Sequence, residues 1–122
     1  MSDARIKLGR HGEALAKSYL ETAKGMTILA QNWRCRLGEL DLVAASGDWI
    51  VFVEVRTRRL TGSFGMPEES VNWRKRKQVR ETALYYLKQH GLAGRKIRFD
   101  VVAVTLNRDM SSPEIRHIEA AF

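Results

Sequence analysis

Among the charged side chains of the mostly apolar stretch GELDLVAASGDWIVFVEVRTRR, residues 38–59, four interrupt its apolar runs: Glu39, Asp41, Glu54 and Arg56. The stretch reads as two strands around a Gly47-Asp48 turn flanked by Ser46 and Trp49. A two-residue turn fixes the register, so that positions summing to 95 face each other. Ala45 then faces Ile50, Val43 faces Phe52, Asp41 faces Glu54 and Glu39 faces Arg56, all on one side of the sheet. Leu40, Leu42, Ala44, Val51, Val53 and Val55 take the other side. A three-residue turn would instead put Asp41 and Glu54 on opposite faces.

Opposed carboxylates lie with Cβ atoms about 4.5–5.5 Å apart and repel each other. Partial burial raises the cost, so a positive partner is required. Two partners fit the residue types. A divalent cation, Mg²⁺ or Mn²⁺, would bridge the acids and keep water and phosphate as its other ligands. Alternatively, Arg56 neutralises Glu39 and Glu54 in a salt-bridge cluster at the sheet end.

The elements that must position these groups are legible from periodicity and turn residues. Leu8, Leu15, Ala16, Tyr19 and Leu20 recur at helical spacing within 4–23, and Gly25 provides a left-handed stop. A first strand follows at 26–34, then the hairpin strands at 39–45 and 49–57. Gly and Pro mark 60–68 as a loop, and Pro67 introduces a second helix over 68–90 with Val71, Val79, Ala83, Tyr86 and Leu87 as its apolar stripe. RFDVVAVTL at 98–106 is a buried strand, and IRHIEAAF adds a short last element. The order of helix, three strands, helix and strand predicts an α/β fold, a mixed central sheet flanked by helices. A length of 122 residues suits one domain, 1–122, with one modest core.

Charge bears on partners. Lys and Arg number 21 against 14 Asp and Glu, a net +7, which draws a domain of this size to polyanions, nucleic acid above all. The basic residues cluster at Arg56, Arg58 and Arg59, at Arg74, Lys75, Arg76, Lys77 and Arg80, and at Arg95, Lys96 and Arg98. A solvated surface that merely keeps the chain soluble is the plainer reading of the same charge. The sequence has no apolar run long enough to span a bilayer and no signal-like apolar segment near Met1. The single Cys35 excludes an internal disulfide. The expectation is a cytoplasmic protein with no membrane partner.

With GEALAKSYL, GELDLV, FVEVRTR, the FGMP loop, Lys75, RFDVV and the final AF in order from about Gly12 to Phe122, the chain resembles the YraN family. That family belongs to the restriction-endonuclease-like (PD-(D/E)XK) nuclease superfamily and is related to archaeal Holliday junction resolvases. The resemblance implies a restriction-endonuclease-like core and metal-dependent hydrolysis of DNA, branched or otherwise structured DNA included. It implies Asp41 and Glu54 as metal ligands, with the Val55 carbonyl completing the site and Glu13 supplying an acid from the first helix. Glu13 also has a plainer use, a surface pair with Lys17 at i,i+4. Glu39 belongs to the same pattern, as a group that orients Arg56. Resolvases act as two-fold dimers, so a homodimer is implied, although no stretch here demands one.

Arg56 departs from the superfamily, which usually places Lys there. A guanidinium stays protonated and cannot accept a proton from water, but it can stabilise charge building on a phosphate. Lys75 lies on the apolar stripe of its helix, so its ammonium either snorkels to solvent or reaches the acids at the sheet end. Gln78, one turn on, is placed to bond a phosphate or a neighbouring acid. Arg58, Arg59, Arg74, Lys75, Arg76, Lys77 and Gln78, with the 60–68 loop, would grip a DNA backbone without reading its bases. Asp100 also matches the family, and pairing with a nearby Arg is its structural use. The reading is an endonuclease with Asp41, Glu54, Arg56 and Lys75 in catalysis. The alternative is a nucleic-acid-binding module on the same fold that does not cleave.

Overall fold

The computed structural model describes residues 3–59, 71–107 and 113–122. Its elements run α1 (Asp3–Thr22), β1 (Thr27–Cys35), β2 (Gly38–Ser46), β3 (Trp49–Arg59), α2 (Trp73–Gln89), β4 (Lys96–Leu106) and β5 (Glu114–Ile118). The five strands form one mixed sheet in the order β1-β2-β3-β4-β5. Only β3 and β4 pair in parallel, in unbroken register from Trp49↔Lys96 to Arg59↔Leu106, and α2 makes the crossover between them. This α/β architecture agrees with the expected one and is consistent with a restriction-endonuclease-like core. The loop expected at 60–68 and residues 68–70 of the helix expected at 68–90 lie outside the described residues; Val71 and Asn72 precede the helix, which Asn72 caps and which begins at Trp73.

Each face of the sheet carries one helix. Leu42, Ala44, Val51, Val53, Val55, Val102 and Val104 pack against Ala16 and Leu20 of α1. Val43, Ile50, Phe52 and Phe99 pack against Val79, Ala83, Tyr86 and Leu87 of α2. Central strands covered on both faces are expected to be apolar throughout, as β2 and β3 are near their turn. Gly12 lets α1 lie against β3: a Cβ there would collide with the Thr57 side chain.

The hairpin has the expected two-residue turn, with Ser46↔Trp49, Ala45↔Ile50 and Val43↔Phe52 opposed. The expected register does not persist to the strand ends. Pairing stops at Leu42↔Val53, so neither Asp41 and Glu54 nor Glu39 and Arg56 are ladder partners. Leu40 also lies on the α2 side with Val43, rather than on the α1 side with Leu42. The cause is a break in pleat that crosses two strands. On β1, Asn32 adopts φ 50°, and the Asn32–Asp41 step is missing from a register that otherwise joins Gln31↔Leu42 to Trp33↔Leu40. Strict alternation fails there, and Asp41 sits at the break.

Candidate active site

Where β2 leaves β3, the Asp41 carboxylate takes over part of the backbone bonding. The Val55 N–H donates to Asp41 Oδ2 at 2.9 Å. This fixes the carboxylate against β3, beside the next side chain back along that strand, Glu54. Glu54 is 3 % exposed, and its carboxyl hydrogen-bonds to that of Asp41. Burial first, then the charge and hydrogen bond of Asp41, push Glu54 up to about 8, against the opposing pull of Lys75. Glu54 therefore holds its proton near neutrality, as a buried carboxyl beside a second acid does.

Lys75 reaches the acids. Its Nζ stands 3.2 Å from Glu54 Oε1. The reach is set by the helix start: Asn72 Oδ1 accepts the Lys75 backbone N–H at 3.0 Å, capping α2 and placing Lys75 in its first turn. Glu13 enters from α1. Burial, then the charges of Asp41 and Glu39, hold its carboxyl above the usual range, and Arg10 opposes them. Asp41, Glu54, Val55, Arg56, Lys75 and Glu13 all line one cleft of about 810 Å³, together with Asn32, Arg34 and Arg10. Among the described residues, no three His, Cys, Asp or Glu side chains come close enough together to form a ready metal cluster. Glu13 shares the cleft but does not join the two acids as a third clustered ligand.

Glu39 has a partner on β1 that was not foreseen. Its Oε2 pairs with Arg34 Nε of β1 at 3.3 Å, because Arg34 is its ladder neighbour across β1 and β2. The basic residues divide into sets. Arg74, Lys77 and Gln78 are exposed and, with Lys75, line a second groove of about 570 Å³. Lys75 belongs to both the groove and the acid cleft. Gln78 Nε2 donates to the Leu37 carbonyl at 3.4 Å, tying α2 to the β1–β2 turn. Arg76 donates to the Val71 carbonyl at 2.7 Å and lies over the Phe122 ring, so it faces the chain's own C-terminal residues. Arg58 donates from Nε to Thr105 Oγ1 at 3.4 Å at the far end of β3, and Arg59 beside it is exposed.

A model of the uncharacterised protein family UPF0102 matches residues 12–104. The chain belongs to that family. A UPF0102 protein of Moorella thermoacetica is 50 % identical over 122 residues, the whole of both chains. One from Rhodococcus jostii is 47 % identical over 117 residues, covering 96 % of this chain and 97 % of that one. A third, from Pelotomaculum thermopropionicum, is 50 % identical over 123 residues and covers both chains fully. The sequence resemblance to YraN is thus met at the level of UPF0102. The match begins at Gly12 and includes Glu13, both acids, Arg56 and Lys75.

Asp100, which also falls within the matched residues, lies in a separate and fully satisfied site. Arg98 donates to it from Nε at 2.9 Å and Nη2 at 3.0 Å, His117 Nε2 lies 2.7 Å away, and the Ala120 N–H donates at 3.0 Å. Burial alone would raise this carboxyl, but His117, Arg98 and the Ala120 N–H together hold it below the usual range. Asp100 anchors β5 and the last residues to β4, and pairing with Arg is its structural use, as expected. Four participants were not foreseen: Asn32, Arg34, Asn72 and His117. Asn72 carried a readable signal, a capping residue three places before Lys75. The other three depend on strand pairings of β1 and β5.

No helix among the described residues is long and apolar enough to cross a membrane.

Proposed function

We propose that this UPF0102 protein is a metal-dependent endonuclease acting on DNA, branched or structured DNA included. The observation that carries the reading is the acid pair. An apolar side chain would suit the middle of β3, yet Glu54 is buried there against a second carboxyl. Such a pair costs stability unless a cation of higher charge joins it. Mg²⁺ needs only one or two carboxylates and retains several waters, so this donor set fits it and Mn²⁺ without a third clustered acid. Asp41, Glu54 and the Val55 carbonyl would hold the ion, with Glu13 within the same cleft. When bound, the ion supplies a lowered water pKa and positive charge beside a scissile phosphate.

The remaining chemistry belongs to the chain. Asp41 is oriented by the Val55 N–H, so one carboxylate is fixed before any ligand arrives. Glu54 must give up its proton, and Lys75 at 3.2 Å lowers the cost of doing so. Lys75 and Arg56 then face a phosphate in the cleft and stabilise its developing charge. Arg74, Lys77, Arg58 and Arg59 contact the backbone, which makes binding salt-sensitive and weak in base preference. Dimerisation would give two such clefts for a two-fold substrate.

A second reading is favoured by the Lys75–Glu54 pair itself. With Glu54 protonated and an ammonium in place, the acids are tolerable without a metal ion, which suits a module that binds nucleic acid and does not cleave. Mn²⁺-dependent cleavage of four-way junction, flap, single-stranded and linear DNA, with Asp41→Asn and Glu54→Gln alongside, separates the two. Cleavage lost in both variants supports the enzyme. DNA binding with neither cleavage nor Mn²⁺-induced thermal stabilisation in the parent protein supports the binding module.

A further inference from the structure

Trp73 is 71 % exposed, the most exposed large hydrophobic side chain among the described residues. Tryptophan is highly buried on average, so an indole left in water beside the basic residues that open α2 asks for an occupant. We propose that Trp73 is a stacking platform for an unpaired base, and that it confers preference for DNA with unpaired nucleotides over continuous duplex. The inference rests on the nuclease or DNA-binding reading above and names its substrate class.

The helix start supplies the geometry. Asn72 caps α2, and Trp73, Arg74 and Lys75 follow as its first three residues. Successive side chains on an α-helix fan out by about 100°, so Trp73 and Lys75 point to roughly opposite sides with Arg74 between them. Lys75 marks the acid pair through its contact with Glu54. Arg74 and Lys77 line the groove that shares Lys75 with the acid cleft. Lys77 is four residues from Trp73 and so stands on the same side of the helix, one turn along. A strand leaving the acids would pass Lys75, then Arg74, and bring a base onto Trp73 with a phosphate near Lys77.

The charge also says what does not sit there. The exposed neighbours that follow Trp73 in the first turn and a half of the helix include Arg74 and Lys77. The next exposed apolar residue on its stripe is Leu84, eleven residues on, about 16 Å along the axis. An exposed indole next to Arg74 and one helical turn from Lys77 is a poor apolar patch for a protein partner and a good platform for a base, because every base has a π-face and is carried on a negative backbone.

Binding is measured at fixed salt for a flap or junction carrying unpaired nucleotides and for a fully paired linear duplex of equal length. Trp73→Ala should weaken binding to the unpaired DNA by about 5- to 150-fold and bring the ratio of the two affinities close to one. Trp73→Phe should retain most of the preference. Indole fluorescence should be quenched by single-stranded oligonucleotide in the parent protein and much less in Trp73→Ala. Equal affinities of parent and Trp73→Ala for unpaired DNA, or equal losses on both DNAs, overturn the platform and leave the acid-pair reading standing. Failure of the parent protein to bind any of these DNAs overturns both.

Discussion

Asp41 Oδ2 accepts the Val55 N–H at 2.9 Å, and this one bond makes the end of a β-ribbon into a site. In a regular hairpin a backbone carbonyl of β2 would take that N–H. Here the pleat breaks at Asn32 and Asp41, β2 departs after Leu42, and a carboxylate substitutes for the missing carbonyl. The same substitution sets Asp41 against the buried Glu54 and leaves the two acids open to the cleft. Asp41→Asn preserves an acceptor for Val55 and removes the charge that raises Glu54. Without divalent ions its melting temperature should equal or exceed that of the parent, while Mn²⁺-induced stabilisation and cleavage should both vanish. Asp41→Ala leaves the N–H without that acceptor and should cost about 1–3 kcal/mol in urea unfolding.

Glu54 makes stability fall with rising pH. Its carboxyl titrates from an ordinary 4.5 in the unfolded chain to about 8 when folded. The folded protein therefore holds a proton that the unfolded chain has released between those values. Stability contributed by this group is greatest below the lower value, declines through the window and levels off above the upper one. Glu54→Gln should flatten that decline in urea unfolding measured across the window. Binding of Mg²⁺ or Mn²⁺ must displace the proton, so apparent affinity should rise by about tenfold per pH unit until it levels off above the folded value. A pH-independent affinity would count against the acid pair as the binding site.

Asp100 works in the opposite direction and on stability alone. Its carboxyl is held below its ordinary value, so its contribution is present above the unfolded value and is lost as pH falls through the folded one. Replacing it by Ala strands Arg98 and His117 against a buried gap and should cost about 3–5 kcal/mol. At temperatures where Asp100→Ala is still folded, its Mn²⁺-induced stabilisation should match that of the parent.

How much of this was legible in the sequence depends on which residues decide each feature. The hairpin turn, its inner register and the two helices follow from local signals, namely Gly47-Asp48, alternation and 3.6-residue periodicity. The approach of Lys75 to Glu54 was one of two open outcomes, since a lysine on an apolar stripe can snorkel either way. The pleat break was not legible. It requires a left-handed Asn32 on β1 to coincide with Asp41 on β2, and no local pattern in either strand shows that coincidence. The Arg34–Glu39 pair was hidden for the same reason, because Arg34 meets Glu39 only through the β1–β2 register. His117 meets Asp100 only because β5 pairs with β4.

Gly12 controls how α1 brings Glu13 to the cleft. A Cβ at this position would overlap Thr57 Oγ1, Cγ2 and Cβ, so α1 must lift from β3 to admit it. Gly12→Ala should destabilise the protein by about 1–3 kcal/mol, as overpacking does. Adding Thr57→Ala removes two of the three clashing atoms and should recover part of that loss in a double-mutant cycle. If the two changes are simply additive, α1 does not rest on Thr57 as described.

Lys75 distinguishes a cation that assists a metal site from one that replaces it. Its ammonium pulls the pKa of Glu54 down, against burial and the Asp41 charge. Lys75→Met removes that influence, so Glu54 should hold its proton to still higher pH. If Lys75 assists, Mn²⁺-induced stabilisation persists in the variant with its pH midpoint moved upward, and cleavage falls further than binding, since charge on the phosphate is stabilised mainly in the transition state. If Lys75 replaces the ion, the parent shows no stabilisation by Mn²⁺ at any pH, and the variant gains it, because an acid pair deprived of its ammonium is left for the added cation. Thermal melts of both proteins with and without Mn²⁺ across the pH range decide between these outcomes without requiring a cleaved substrate.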